Sequence, residues 1–496
     1  LKCSGNEYHQ TQNCALFMAE DSREGWSELL YKSSMSLMSG AGIGTVYSKI
    51  RPEGAIIRRT GGHSTGPLAL MQMINEAGRG IMNGGDRRAA IWAGLHWSHG
   101  DILKFIQMKN WSPEVRALKE KDFNFPATMD MTNISVILDD AFFDAYHWAD
   151  MSSGHPLAHM KEFANNIYWA TIRQMLKTSE PGFSIDIGEN AGEHLRNACT
   201  EITSRDDSDI CNLGSINLAR IESLEEMEEM VELGTLFLLA GTLYSHVPTD
   251  GIDLIRKKNR RLGLGLMGIH EWLLTHGKKY GPDEELEKYL TIYATSTQKA
   301  HKYVDLWAIS LPIKTRAIAP TGTIGIVAET TTGVEPIFCV AYKRRYLKHT
   351  TWNYQYVIDP TAKRLIDRGV KPEFIEDAYS LSEDVERRVA FQAWIQQYVD
   401  HAISSTINMP AWGSELNNES RVTDFGNMLM KYLPKLRGMT VYADGSRGGQ
   451  PLTPVKYSTA IKHIGETFVE KGVEDDRVVF EAGDVCDITK GGTCGA

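Results

Sequence analysis

Arg196-Asn197-Ala198-Cys199-Thr200-Glu201, then Cys211-Asn212-Leu213-Gly214-Ser215-Ile216-Asn217-Leu218 beginning twelve residues after the first thiol, is the stretch on which this chain is read. Asn197, Cys199 and Glu201 stand at alternate positions, and from an extended loop alternate side chains point the same way. An amide, a thiol and a carboxylate so placed can hold a small polyol by hydrogen bonds beside a sulfur. Cys211 follows in a run that reads as a buried apolar strand. A lone buried cysteine is most often a small core hydrophobe. The flanking amide and carboxylate argue against that here, because buried polar groups need partners. No metal-ligand spacing accounts for the two thiols, so redox or radical chemistry comes to the front.

The remaining composition is that of a globular protein. Of 496 residues 42% are hydrophobic and 23% charged, which excludes a disordered or fibrous chain. A net charge of −10 argues against a surface that coats nucleic acid. Seven cysteines (Cys3, Cys14, Cys199, Cys211, Cys339, Cys486 and Cys494) are too sparse for a disulfide scaffold and fit a reducing compartment. The richest apolar run, Leu236 to Tyr244, is far short of a membrane span, so a cytoplasmic protein is expected (host cytoplasm, if the source is viral). The chain opens at Leu1 without a methionine, which leads us to expect a preceding segment.

Helix and strand signals alternate. Glu24 to Met38 and Pro67 to Met82 read as helices, the second stopped by Asn83-Gly84-Gly85. Ser39 to Gly44 reads as a flexible turn, Ala89 to Leu95 as a buried strand, and Asp384 to Ile403 as an amphipathic helix. Lys314 to Ala319 reads as a short strand ending at Pro320-Thr321-Gly322-Thr323-Ile324-Gly325, where hydroxyls, a glycine and a following helix suit a phosphate cradle. Gly263-Leu264-Gly265-Leu266-Met267-Gly268 matches a dinucleotide fingerprint in form only, since a basic run precedes it; tight helix packing by small residues is the expectation. His96 and His99 lack a third ligand and read as an ordinary histidine pair. From Phe480 the chain is rich in Gly and Asp and carries Cys486 and Cys494, the composition of a mobile tail suited to thiol–disulfide exchange.

Taken in order, these segments resemble the catalytic chain of ribonucleotide reductase. The matching series is Asn13-Cys14, Arg51 to Gly54, Thr60 to Pro67, Gly84 to Ala90, the two cysteine segments, Asn259 to Gly268, Ala319 to Gly325 and Ser405 to Asn408. The family's Asn-Pro-Cys-Gly-Glu is here Asn197-Ala198-Cys199-Thr200-Glu201, which retains the chemical residues and loses two that shape the loop.

The resemblance implies an α/β fold: a ten-stranded α/β barrel of two antiparallel five-stranded halves over residues 1–479, with Cys199 on an inserted loop inside it and a redox-active tail over 480–496. It implies that Cys199 becomes a thiyl radical, that Glu201 takes the 3′-hydroxyl proton, and that Asn197 orients the substrate. Cys14 and Cys211 would deliver two electrons, and Cys486 and Cys494 would restore them from thioredoxin or glutaredoxin. Asn13, Thr321, Gly322 and Thr323 would bind a ribonucleoside di- or triphosphate. Thr60, Gly62, Ser64, Gly85, Arg87 and Arg88 would lie on loops that relay a deoxynucleotide or ATP effector, with a homodimer as a family expectation.

The family generates its radical in several ways. A partner-dependent form uses adjacent tyrosines, and this chain has none; Gly438 to Arg447 instead resembles the adenosylcobalamin-dependent class II. Adenosylcobalamin is therefore the expected cofactor. The alternative is a pathway through Tyr442 from a metal-containing partner subunit. A thiol–disulfide oxidoreductase without nucleotide chemistry is a third reading.

Overall fold

The computed structural model describes residues 10–83, 87–122, 124–148, 156–348, 351–446 and 452–469. Two compact units are present, one of Leu1–Val340 with Ile358–Gln450 and a smaller one of Ala341–Val357 with Pro451–Ala496. Among the described residues the smaller unit is a four-stranded sheet, in the order Leu452–Pro454, Ala341–Lys348, Thr351–Ile358, Thr467–Val469.

The larger unit is built on nine strands: β1 (Cys14–Met18), β2 (Gly42–Val46), β3 (Ile91–His96), β4 (Thr132–Asp139), β5 (Gly182–Asp186), β6 (Asp209–Asn217), β7 (Leu262–Met267), β8 (Thr406–Met409) and β9 (Gly438–Ala443). They form one mixed sheet in the order β7-β6-β1-β2-β3-β4-β5-β9-β8. The five strands β1 to β5 are mutually parallel. At each side the direction reverses, at β1/β6 and at β5/β9, and a second parallel pair follows.

Helices return the chain between the parallel strands, as such connections require. Arg23–Met38 joins β1 to β2, and its first turn is capped by Ser22, whose side chain accepts from Gly25 N. Lys161–Thr178 leads back to β5. Strand alternation then divides the burial. Ala15 and Phe17 join the large core under the helices, whereas Cys14, Leu16 and Met18 face a small second cluster with Val46, Trp92, Leu195, Ile202 and Cys211.

The expected ten-stranded closure is not part of this sheet. What lies between its edges is a bridged segment: Leu264 pairs with Arg316, and Ile318 pairs with Ile403, both in parallel sense. Three sequence expectations are corrected. Gly42 to Val46 is strand, not turn, and its glycines leave room for a crossing loop. Gly263 and Gly265 lie inside strand β7, where a Cβ would meet Leu213 Cδ2 at 2.3 Å and Ala317 O at 2.6 Å; close strand approach, not helix packing, accounts for them. The helix expected to reach Ile403 ends at Gln396, and Asp400 turns to accept hydrogen bonds from Thr315 N and Arg316 N at 3.1 and 2.8 Å. No helix among the described residues is long and apolar enough to cross a membrane.

Candidate active site

The loop that carries Cys199 leaves β5 and returns into β6. Its limbs pair as a short antiparallel ribbon, Leu195 opposite Ser204 and Arg196 opposite Thr203. Leu195 and Ile202 are fully buried on the second face of the sheet, and each contributes about 1.5–3 kcal/mol of apolar burial. The ribbon crosses β2 where side chains are missing. A Cβ on Gly44 would stand 1.9 Å from Arg196 O, and one on Gly42 would stand 3.0 Å from Ala198 Cβ.

The tip is a turn and not the extended loop expected from the sequence. Thr200 N donates to Asn197 O at 3.1 Å, and Thr200 takes φ +69°. Asn197 and Glu201 therefore point inward, each 1% exposed, while Cys199 is exposed at the tip. Asn197 spans the turn: its Oδ1 accepts from Ile202 N at 3.0 Å, and its Nδ2 donates to Cys14 Sγ at 3.2 Å.

Cys14 and Cys211 stand directly opposite each other across β1 and β6. Facing residues of antiparallel strands have Cα atoms about 4.5–5.5 Å apart, inside the range a disulfide spans. Both thiols are reduced and buried in this structure. Burial pushes the Cys14 thiol up, and Glu201, Cys211 and Cys199 push it further; Asn197 opposes them. Burial likewise raises Cys211, with Asp209 adding to it. Burial also raises Glu201, to about 7, despite hydrogen bonds from the backbone and Asn197, and its Oε2 has no partner. The arrangement is a two-electron thiol pair, an adjacent carboxyl that exchanges its proton near neutrality, and an exposed third thiol within electrostatic reach of Cys14.

Asn13 is exposed beside Cys14, with Oδ1 at 3.6 Å from the sulfur. Thr321 (φ +51°) precedes the short helix Gly322–Val327, and its hydroxyl accepts from Gly333 N at 2.9 Å. Gly322 and Thr323 are exposed at that helix start. Thr60 caps an exposed hairpin between Ile56–Ile57 and Gly62–His63, and Ser64 closes it by a 2.8 Å bond from its N to Ala55 O. Arg88 donates to Asn124 Oδ1 at 2.5 Å; Gly85, the Arg87 side chain, Cys486 and Cys494 lie outside the described residues. Tyr442 is half-buried on β9, opposite Asn408. The histidine pair is hydrogen-bonded, His96 to Ser98 Oγ and Asp139, His99 to Ile50 O and Asp101 N.

Sequence reading missed a buried charge network at the root of the loop. Glu193, 4% exposed, meets Lys314 Nζ, Arg437 Nη2 at 3.2 Å, Arg261 Nη1 at 3.6 Å and Thr203 Oγ1 at 2.8 Å. Burial alone would raise Glu193, but Lys314, then Arg261 and Thr203, outweigh it and hold the carboxyl at about 2. Lys314 is the less comfortable partner: burial and Arg437 bring it down to about 8 against the pull of Glu193. His401 Nδ1 accepts from Thr203 N at 3.2 Å, and burial among four cations keeps its pKa well below the usual histidine range. The available signal was a basic residue directly ahead of each apolar segment: Arg261, Lys314, His401 and Arg437.

The chain is similar to known proteins over most of its length. A vitamin B12-dependent ribonucleoside-diphosphate reductase of Mycobacterium tuberculosis is 27% identical over 91% of this chain and 70% of its own length. One from Thermoplasma acidophilum is 28% identical over 91% of this chain and 64% of its own length. The class Id ribonucleotide reductase alpha subunit of Actinobacillus ureae superposes with a TM-score of 0.68 at 15% identity, covering 89% of this chain and 85% of that one, a likeness of fold. The model of the ribonucleotide reductase barrel domain matches residues 12–153, 148–303 and 314–442, and the chain belongs to that family.

Proposed function

We propose that this chain reduces ribonucleotides to 2′-deoxyribonucleotides by thiyl-radical chemistry, with Cys14 and Cys211 as the reductant. The observation that carries this reading is the facing thiol pair, with Asn197 of the Cys199 turn donating to Cys14 Sγ at 3.2 Å and Glu201 buried on the same turn. Cys199, as a thiyl radical, takes the 3′ hydrogen atom of the ribose. Glu201 accepts the 3′-hydroxyl proton, which its pKa of about 7 suits. The 2′-hydroxyl leaves as water, the two thiols supply two electrons and two protons, and a Cys14–Cys211 disulfide forms. Cys199 then returns the hydrogen atom to the 3′ carbon, and Glu201 returns the proton to the 3′ oxygen. Asn197 and Asn13 orient the sugar, and Thr321, Gly322 and Thr323 receive the phosphates at the exposed helix start. Cys486 and Cys494 reduce the disulfide and are recharged by a thioredoxin or glutaredoxin. Thr60, Gly62, Ser64, Gly85, Arg87 and Arg88 carry the effector response.

The segment bearing Arg316 and Ile318 is the tenth strand of a closed barrel in this reading, supported by its bridges to Leu264 and Ile403. Adenosylcobalamin, the form of vitamin B12 that suits relatives named as vitamin B12-dependent, would supply a carbon radical when bound. Cys199 is the residue that would meet it, and its exposure at the loop tip fits an external radical source. The relatives favour this over a Tyr442 pathway from a partner subunit.

The test is turnover by the purified chain with a ribonucleoside di- or triphosphate, dithiothreitol and adenosylcobalamin, and no second protein. Deoxynucleotide formation that requires adenosylcobalamin is expected. Turnover that appears only with a radical-bearing partner subunit would overturn the cofactor assignment, and absence of product under both conditions would overturn the function.

A further inference from the structure

Four chain segments begin at the root of the Cys199 loop, and each starts with a basic residue. Arg261 precedes β7, Lys314 precedes the bridged segment, His401 precedes the bridge at Ile403, and Arg437 precedes β9. All four side chains reach the loop or Glu193. Lys314, Arg437 and Arg261 engage the Glu193 carboxylate, and His401 accepts from Thr203 N. The same carboxylate accepts from Thr203 Oγ1 at 2.8 Å, and Thr203 lies on the returning limb two residues past Glu201. Next to His401, Ala402 N donates to Glu201 O at 2.8 Å.

We propose that Glu193 is a positioning residue: it clamps the returning limb of the loop to the starts of these segments and so fixes where the Cys199 sulfur and the Glu201 carboxyl stand. The inference rests on the reading of Cys199 as the reacting sulfur. Lys314 and Arg437 both form their ion pair with Glu193, whereas Arg261 is held mainly by Asp209 at 2.5 Å. With the Glu193 charge gone, Lys314 and Arg437 repel one another in a site of low dielectric and draw apart. Thr203 then trades a carboxylate acceptor for a neutral one or for His401 Nδ1, 3.2 Å away, and the tip beyond this limb shifts. Misplacement of a reacting group by about 1 Å costs a reaction about 100-fold, with little effect on substrate affinity. A role confined to stability would lower the melting temperature and leave kcat untouched.

The experiment compares wild type, Glu193→Gln, Glu193→Asp and Thr203→Val in the full chain with ribonucleotide, dithiothreitol and adenosylcobalamin. Each protein is also treated in the native state with iodoacetamide, and the Cys199 peptide is quantified. Glu193→Gln is expected to lower kcat by about 10- to 100-fold with KM within about 2-fold, to change the Cys199 alkylation rate at least about 3-fold, and to be partly rescued by Asp. Thr203→Val keeps the ion pairs and removes the hydroxyl that joins the returning limb to Glu193 and His401, so it should show the same kcat-specific loss in smaller measure. If Glu193→Gln does not fold, Thr203→Val decides on the same two readings. A wild-type kcat and alkylation rate in the folded variants would overturn the inference. Were wild type itself inactive, the functional reading would fail, while the alkylation arm would still decide the role of Glu193.

Discussion

The two kinds of thiol in the site are held in opposite ways. Cys14 and Cys211 are fixed by strand register, buried, with their pKa values raised above the ordinary thiol range. Cys199 sits exposed on a turn whose Thr200 has a left-handed backbone. A register cannot slip by one residue without reversing every side chain, so the pair is a fixed reservoir of two electrons. A turn held at its root can present one exposed sulfur. On the proposed chemistry, the difference assigns the reductant to the sheet and the initiator to the inserted loop.

The largest test of that division is chemical. Cys199→Ser should reduce deoxynucleotide formation by at least about 1,000-fold, because nothing else starts the reaction. The same variant should still form the Cys14–Cys211 disulfide under mild oxidation, seen as a cross-linked peptide. In native wild type, iodoacetamide should label Cys199 at least about 100-fold faster than Cys14 or Cys211, whose burial keeps them as thiols. Equal labelling of the three would dissolve the comparison.

The next test attacks the loop alone. Gly44→Ala places a Cβ 1.9 Å from Arg196 O, which backbone cannot yield cheaply. A loss of about 3 kcal/mol in unfolding free energy is expected, measured by denaturant titration. Gly42→Ala meets the Ala198 and Ala90 side chains at 3.0 and 3.4 Å and should cost about 1 kcal/mol. Neither thiol is among the three nearest atoms to either added Cβ, although Gly42 pairs with Cys14 and Gly44 stands under Asn197, so oxidation of the pair should persist in both.

Much of this was legible in the chain. The order of motifs gave the family, and Cys211 lay on the buried strand that its apolar run suggested. What escaped reading depended on contacts between distant segments. Gly42 and Gly44 look like turn residues from composition; their role becomes visible only when residues 196 and 198 are seen crossing them. Gly263 and Gly265 were obscured by the same cause, being thinned for Leu213 and the segment at Ala317. The alternation of Asn197, Cys199 and Glu201 suggested one common face, and a single left-handed residue separated them. Glu193 carried no local signal at all, since its partners lie at positions 203, 261, 314 and 437.

Glu201 sharpens the comparison through pH. Its folded pKa of about 7 exceeds the ordinary 4.5. Between those values the folded protein holds a proton that the unfolded chain has released, so stability falls as pH rises through that window, by about 3 kcal/mol in all. Glu201→Gln should remove that slope, leaving the variant more stable than wild type by up to about 3 kcal/mol at pH 8 and equal to it near pH 4. Activity should be lost in the variant, whereas wild-type kcat/KM should climb through pH 7 as the base loses its proton. A variant with an unchanged pH–stability slope would place the titration elsewhere.

The smallest expected effect lies at Thr200, where the family motif has glycine. A β-branched residue at φ +69° is strained by about 1–2 kcal/mol. Glycine would relieve that strain, but its greater freedom in the unfolded chain costs about 0.5–1 kcal/mol. Thr200→Gly should therefore stabilise the protein by at most about 1 kcal/mol, read as a higher denaturant midpoint at an unchanged slope. The strain has a geometric consequence that the measurement isolates. Thr200 keeps Asn197 and Glu201 inward while Cys199 faces out, and its hydroxyl lies over Gly438, 3.7 Å from where a Cβ there would stand. If the turn and not its side chain places the sulfur, Thr200→Gly retains full turnover with slightly higher stability. If the hydroxyl over β9 is what steadies the tip, kcat falls although the fold is firmer, and the initiator then owes its position to one contact beyond the root of its loop.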